Sequence, residues 1–185
     1  KVVIVCDQDP DGSHIKGLII NFFHTYYPEL LTSPGFLNVF HTPIVVGKHR
    51  NEKRMFFTLH EFDTFRRDAP AGWKFKWYKG LGTSNATEAK EYFRHMDRHL
   101  KPFPHTETEA AIDRCVNVAF SDDKTYKDLR KQMVREPLDE TGELANSFEE
   151  FFVKELPVFW RDDNERSMSN AIDGSKVSQR KILYS

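Results

Sequence analysis

Val2-Val3-Ile4-Val5-Cys6, followed at once by Asp7-Gln8-Asp9-Pro10-Asp11-Gly12, is where an apolar strand delivers three carboxylates to one point. The apolar block is too short for a helix and rich in β-branched residues. It reads as a buried strand of a parallel sheet, ended by Pro10 and Gly12. Ligands in such sheets collect at the carboxyl ends of the strands. Carboxylates at alternate positions repel one another and raise each other's pKa unless a cation compensates, so Asp7, Asp9 and Asp11 point to a divalent ion. The plain alternative is a solvated acidic turn.

Working outward, Ser13 can cap a helix from about His14 to Leu31, with Ile15, Leu18, Ile19, Phe22 and Phe23 as its apolar face. Phe36 to Pro43 leads into a strand through Ile44-Val45-Val46, and Arg54 to Leu59 gives another. Glu61 to Arg67 fits a short helix with Phe62 and Phe65 turned inward. Trp73 to Lys79 alternates apolar with polar, the mark of a strand with one apolar face. After Gly82 a helix fits Ser84 to His99, capped by Thr83 or Ser84. Lys101 to Thr108, with two prolines, is a boundary. Helical texture follows over Glu109–Phe120, Asp122–Arg135 and Ser147–Leu156, the last stopped by Pro157, with Glu140 to Glu143 as an exposed turn. Strands alternating with helices predict an α/β fold with a mostly parallel sheet.

The 27 basic and 28 acidic residues leave a net charge of -1, so a nucleic-acid partner is not announced by overall charge and must come from local clusters. Cys6 and Cys115 cannot form a disulfide framework and suit a reducing compartment. No apolar run approaches the ~20 residues of a membrane span, so no membrane partner is expected.

Three metal-site patterns begin like this one. An EF-hand loop needs a bidentate Glu at its twelfth position, which counted from Asp7 is Leu18, and it needs a helix where this chain has a strand. Phosphohydrolases of the haloacid dehalogenase type place D-x-D after an apolar strand, the first Asp being the nucleophile. They expect Thr or Val where Asp11 stands. The third pattern rests on Asp11-Gly12-Ser13-His14-Ile15-Lys16-Gly17-Leu18 and on Tyr78-Lys79-Gly80-Leu81-Gly82-Thr83-Ser84 downstream. These resemble the second metal motif and the KGLGT motif of the TOPRIM domain of type II DNA topoisomerases. The resemblance continues through Ala119-Phe120-Ser121, Asp128 to Lys131, Asp163 to Ser167 and Asp173 to Lys181, nearly the whole chain. Thr83-Ser84, where bacterial gyrase-like enzymes carry Glu-Met, is similar to the eukaryotic homodimeric type.

The resemblance implies a TOPRIM Rossmann-like, mostly parallel sheet over 1–100, lacking its N-terminal part. A helical connector over 101–146 and the start of a DNA-binding winged-helix region over 147–185 come next. It implies Mg²⁺ on Asp7 and Asp9, with Asp11 as a third, supporting carboxylate; Mn²⁺ or Ca²⁺ can substitute. Double-stranded DNA would be contacted by Lys79, Arg130, Lys131, Lys176 and Arg180, with His14, Arg166 and Asp173 in support. If a helix starts near Ser175, Lys176, Arg180 and Lys181 share one side and can track a phosphate backbone. This chain has Ser175 and Val177 where the family has Leu and Pro.

By the same resemblance the catalytic Glu and Tyr lie outside these 185 residues. The chain would be an inactive internal piece of an ATP-dependent, homodimeric enzyme of the nucleus, or alternatively of a mitochondrion or other DNA-containing organelle. ATP would act at an N-terminal domain. A haloacid-dehalogenase-type phosphohydrolase and a non-catalytic DNA-binding module are the alternatives.

Overall fold

The computed structural model describes residues 1–103, 107–137, 145 and 147–185; the expected turn at Glu140 to Glu143 lies outside them. β1 (Val2–Val5) pairs in parallel with β2 (Leu37–Phe40), and β2 pairs antiparallel with β6 (Leu100–Pro102). A second sheet has the order β4-β3-β5, from β3 (Val45–His49), β4 (Glu52–Phe56) and β5 (Lys74–Trp77), with antiparallel pairings throughout.

The α/β class holds, but among the described strands the parallel character is confined to β1–β2. Those two strands are joined by a helical crossover, α1 (Pro10–Tyr26) and α2 (Pro28–Leu31). The two residues between β3 and β4, with Arg50 at φ 52°, permit only a hairpin. After α3 (Leu59–Asp68) the chain returns on the far side of β3, so β5 meets β3 and not its parallel counterpart β4.

The helices differ from expectation for identifiable reasons. α1 starts four residues earlier than the predicted His14, because Asp9 caps it and Pro10, lacking an N–H, fits the first turn. It ends at Tyr26 because Pro28 opens a new turn. Its buried face is Gly12, Lys16, Gly17 and Ile20, while Ile15, Leu18 and Phe22 are 47%, 46% and 50% exposed. The expected apolar stripe is therefore rotated. A Cβ on Gly17 would stand 3.2 Å from the Phe120 ring and 3.5 Å from Leu156, so the glycine lets α1 approach those side chains closely.

The helix after Gly82 is capped by Asn85 and breaks at His95 into α4 (Ala86–Arg94) and α5 (Met96–His99). The next two, α6 (Glu109–Phe120) and α7 (Lys124–Arg135), match expectation closely. Pro157 does not stop the helix that begins as α8 (Phe148–Glu150). The chain makes one π-helical turn, Phe151–Glu155, and continues as α9 (Leu156–Ser167) with Pro157 in its first turn. The wider turn accommodates a residue that cannot donate to the preceding ladder. Last comes α10 (Val177–Leu183).

The main core draws on all three expected segments: Ile4, Ile20 and Val39, then Ile112 and Val116, then Phe148, Phe151, Phe152 and Leu156. A smaller core of Val45, Phe56 and Phe62 lies under the second sheet. Within the main body Lys16, 4% exposed, places its ammonium 2.5 Å from Glu155 and above the Phe151 ring. Glu155 also accepts from the Ser13 hydroxyl and the Ala145 N–H. Removing one partner of such a pair strands a buried charge. Lys16→Met should lower stability by about 3 kcal/mol in urea unfolding, and Lys16→Met with Glu155→Leu should recover most of it. Equal losses in the single and double variants would refute the pairing as the cause.

Candidate functional site

Asp7 stands two positions after the last residue of β1, with Cys6 between, and Asp9 caps α1 two residues later, so the strand end and the helix start meet in one turn. The turn is tight. A Cβ on Gly12 would sit 2.0 Å from the Asp7 carbonyl oxygen, so glycine is needed there. The Gly12 N–H donates to Asp9 Oδ1 at 2.7 Å, and the Cys6 thiol donates to the Gly12 carbonyl at 3.5 Å.

The Lys79–Ser84 segment comes to the same point from the other sheet. The Leu81 N–H donates to Asp7 Oδ1 at 2.6 Å across 74 residues of sequence. A Cβ on Gly80 would lie 2.6 Å from Asp7 Oδ2, so only glycine lets the backbone approach this closely. The two motifs singled out in the sequence thus touch.

Glu88 clamps both ends of that segment. It accepts the Tyr78 hydroxyl at 2.6 Å on one side and the Asn85 N–H at 2.9 Å on the other, with Lys76 at 3.0 Å. Burial pushes the Glu88 carboxyl up, but the Tyr78, Asn85 and Lys76 donors outweigh it and bring it to about 2. Burial, with Glu88 beside it, pushes the Tyr78 hydroxyl well above its ordinary value. Beneath the acidic turn, His41 shares a 3.3 Å hydrogen bond with Gln8, and burial pushes His41 down to about 4, so it is neutral at pH 7. The buried His99 Nδ1–H donates to the His41 carbonyl at 2.8 Å.

The expected site residues fall into two groups. Asp7, Asp9 and the Gly80 backbone meet at the turn, and Lys79, exposed, is the residue before Gly80. Asp11 is turned to Arg166: both of its oxygens accept from the guanidinium, at 2.9 and 2.6 Å, and these hydrogen bonds hold its carboxyl below the usual range. His14 stacks on Phe159 with ring centroids 4.1 Å apart. Arg130 donates to the Val118 and Ser121 carbonyls and so closes the C-terminus of α6, while Lys131 pairs with Asp128 in its own helix. Arg180 is paired through both donors with Asp173, and Lys176 precedes α10 instead of riding on it, so the shared helical face does not form.

Lys16, Glu155, Glu88 and the Gln8–His41 pair were missed. For Lys16 a signal existed, since Gly12, Lys16 and Ile20 recur at i, i+4 and i+8.

A divalent cation fits the two remaining carboxylates. Asp7 Oδ2 and Asp9 Oδ2 accept no hydrogen bond among the described residues, and hard oxygens from one or two carboxylates plus water suit such an ion. Among the described residues no group of three or more His, Cys, Asp or Glu gathers to hold a metal. At this turn the oxygens left open among the described residues are those of Asp7 and Asp9.

Residues 40–164 match the family model described as the C-terminal associated domain of TOPRIM, TOPRIM_C. The chain belongs to that family. Its whole length is 41% identical over 202 residues to DNA topoisomerase 2 of Drosophila melanogaster and 41% identical over 200 residues to human DNA topoisomerase 2-beta. The structure matches that of the Plasmodium falciparum topoisomerase II DNA-binding, cleavage and re-ligation domain with TM-score 0.81 and 40% identity, covering 98% of this chain. The TOPRIM_C chain spans 14% and 12% of the two curated relatives and 25% of the Plasmodium chain. It corresponds to the TOPRIM and cleavage region of eukaryotic type II DNA topoisomerases, and family membership implies divalent-cation binding in general. The phosphohydrolase alternative is not favoured.

Gly80→Ala should push the turn off Asp7, read as faster hydrogen exchange of the Leu81 amide; unchanged exchange would show that the contact is dispensable. Glu88 is depressed on folding, so its stabilisation is present above its ordinary pKa of 4.5 and is lost as pH falls towards about 2. Melting temperature should fall over that window in wild type and fall less steeply in Glu88→Gln.

Proposed function

We propose that this chain supplies the cation-binding half of the DNA cleavage centre of an ATP-dependent type II DNA topoisomerase. Such an enzyme breaks both strands of one duplex through a tyrosyl-DNA link, passes a second duplex and reseals the first. The observation that carries the reading is the contact of Asp7 with Gly80 and Leu81, which sets a carboxylate pair beside a glycine turn and an exposed lysine. Asp7 and Asp9 would hold Mg²⁺, which neutralises charge on the phosphorus oxygens during in-line displacement. Mn²⁺ or Ca²⁺ would occupy the same oxygens.

Lys79 and the backbone N–H groups of its turn would receive a phosphate of the duplex. Lys176 would add a phosphate contact, and Arg180, already oriented by Asp173, would exchange that carboxylate for one. Arg130 and Lys131 are engaged within the fold and would contribute field more than contact. In this reading residues 1–100 form the TOPRIM part, 101–146 the connector and 147–185 the entry to the winged helix. The whole enzyme would be a nuclear homodimer that hydrolyses ATP elsewhere in the polypeptide.

The test is a chimaera in which this chain replaces the matching 202 residues of the Drosophila enzyme. It should cleave supercoiled plasmid only with Mg²⁺, and Asp7→Ala or Asp9→Ala should each reduce cleavage by roughly a hundredfold. Cleavage by both variants at the wild-type rate would overturn the metal assignment. Strong duplex binding without Mg²⁺-dependent cleavage would favour a non-catalytic module.

A further inference from the structure

Asp11, expected to support Asp7 and Asp9, has its carboxylate taken up in an ion pair with Arg166. It sits in the first turn of α1, and its partner Arg166 comes from the last turn of α9, 155 positions away. The pairing is bidentate, and the third guanidinium donor of Arg166 goes to Asp163 at 3.2 Å. A guanidinium brought to the positive end of a helix is disfavoured unless an anion accompanies it, and Asp11 is that anion.

From Glu155 at the end of the π turn through α9, the chain runs back along α1 towards its N-terminus, with contacts at three levels. Glu155 meets Lys16 and Ser13, Phe159 meets His14, and Arg166 meets Asp11. The Arg166 guanidinium also lies 5.9 Å from the Phe159 ring, so the stack and the ion pair form one column. Beyond Arg166 the chain leaves α1. The next segment is held by its own bonds: Asn170 N–H to the Ser175 carbonyl, Gly174 N–H to the Asn170 carbonyl, Ser175 N–H to Asp173, and the Arg180 guanidinium to Asp173. Residues 170–183 therefore form an arm whose hydrogen bonds are internal and which packs on α9, and Asp11–Arg166 is the tie at its root.

We propose that Asp11 and Arg166 form a latch that fixes this arm, and with it Lys176 and Arg180, to the acidic turn, and that Asp11 is a positioning residue and not a cation ligand. The latch couples the orientation of the arm's phosphate-binding side chains to the strand end that holds Asp7 and Asp9. It rests on the proposed function for the role of those two carboxylates.

The test uses the 185-residue chain, with hydrogen exchange of the amides of residues 164–184 and Mn²⁺ affinity by electron paramagnetic resonance. Asp11→Asn should speed exchange at the end of α9 by roughly two- to fivefold, the range an exposed ion pair supports, and leave Mn²⁺ affinity within about twofold. Asp11→Glu, which keeps the charge at the helix N-terminus, should restore the slow exchange that Asp11→Asn and Arg166→Gln lose. That rescue would not arise from a general loss of structure. Asp7→Asn should weaken Mn²⁺ binding by at least roughly tenfold without changing exchange in α9.

Loss of Mn²⁺ affinity in Asp11→Asn as large as in Asp7→Asn would overturn the latch and make Asp11 a ligand. Unchanged exchange in Asp11→Asn, or exchange in Asp11→Glu as fast as in Asp11→Asn, would overturn it as well. If the wild-type chain binds no Mn²⁺ at all, the cation reading fails while the exchange measurements still decide the latch.

Discussion

The buried ion pair between Lys16 and Glu155 is the constraint around which the molecule is arranged. A charge enclosed this completely must be met by its counter-charge, so α1 can turn only the face that carries Lys16 towards the segment that carries Glu155. The placement of the other α1 side chains is a result of that rotation. Ile20 enters the core, Gly17 lies against Phe120 and Leu156, and Asp9 is left at the helix entrance with its carboxylate towards the acidic turn. Residues near the start of the chain and residues near its end are thereby made parts of one body, which is why the main core contains Ile4 and Phe152 together.

The acidic turn itself depends on two glycines more than on its carboxylates. Gly12 lets the chain reverse against the Asp7 carbonyl, and Gly80 lets a second backbone reach the Asp7 side chain. Glu88 stabilises the second approach from behind, gathering the hydroxyl before the turn and the amide after it. The acidic side chains that would bind the ion are thus positioned by neighbours that would not touch it.

Much of this was legible in the sequence, and the failures have physical causes. The strand Val2–Val5, the acidic turn and the glycine segment at 80–82 could be read because each has a local signature that packing does not override. α6 and α7 were readable from helical texture. The buried face of α1 was not, because a count of apolar residues cannot register a lysine that is buried through a partner 139 positions away. The antiparallel second sheet was hidden for a related reason. Alternation marks a strand, but which neighbour it pairs with is settled by the hairpin at Arg50 and the side of β3 on which β5 lands. Asp11 and Arg166 were each noticed, but their pairing is a tertiary fact. The Arg180–Asp173 pair spans only seven residues, yet it too needed the turn at Gly174 to be seen.

The π turn at Phe151–Glu155 bears on how the chain can change over evolutionary time. Each residue added to or removed from a helix rotates the downstream part by about 100°, so the extra residue in this turn sets the azimuth of everything from Leu156 onward. A one-residue deletion here would swing Phe159 and Arg166 away from α1 together, however conservative the remaining side chains. Substitution within the turn is a local matter of packing. Its length is a global one, and the segment is therefore expected to vary in composition while keeping its residue count.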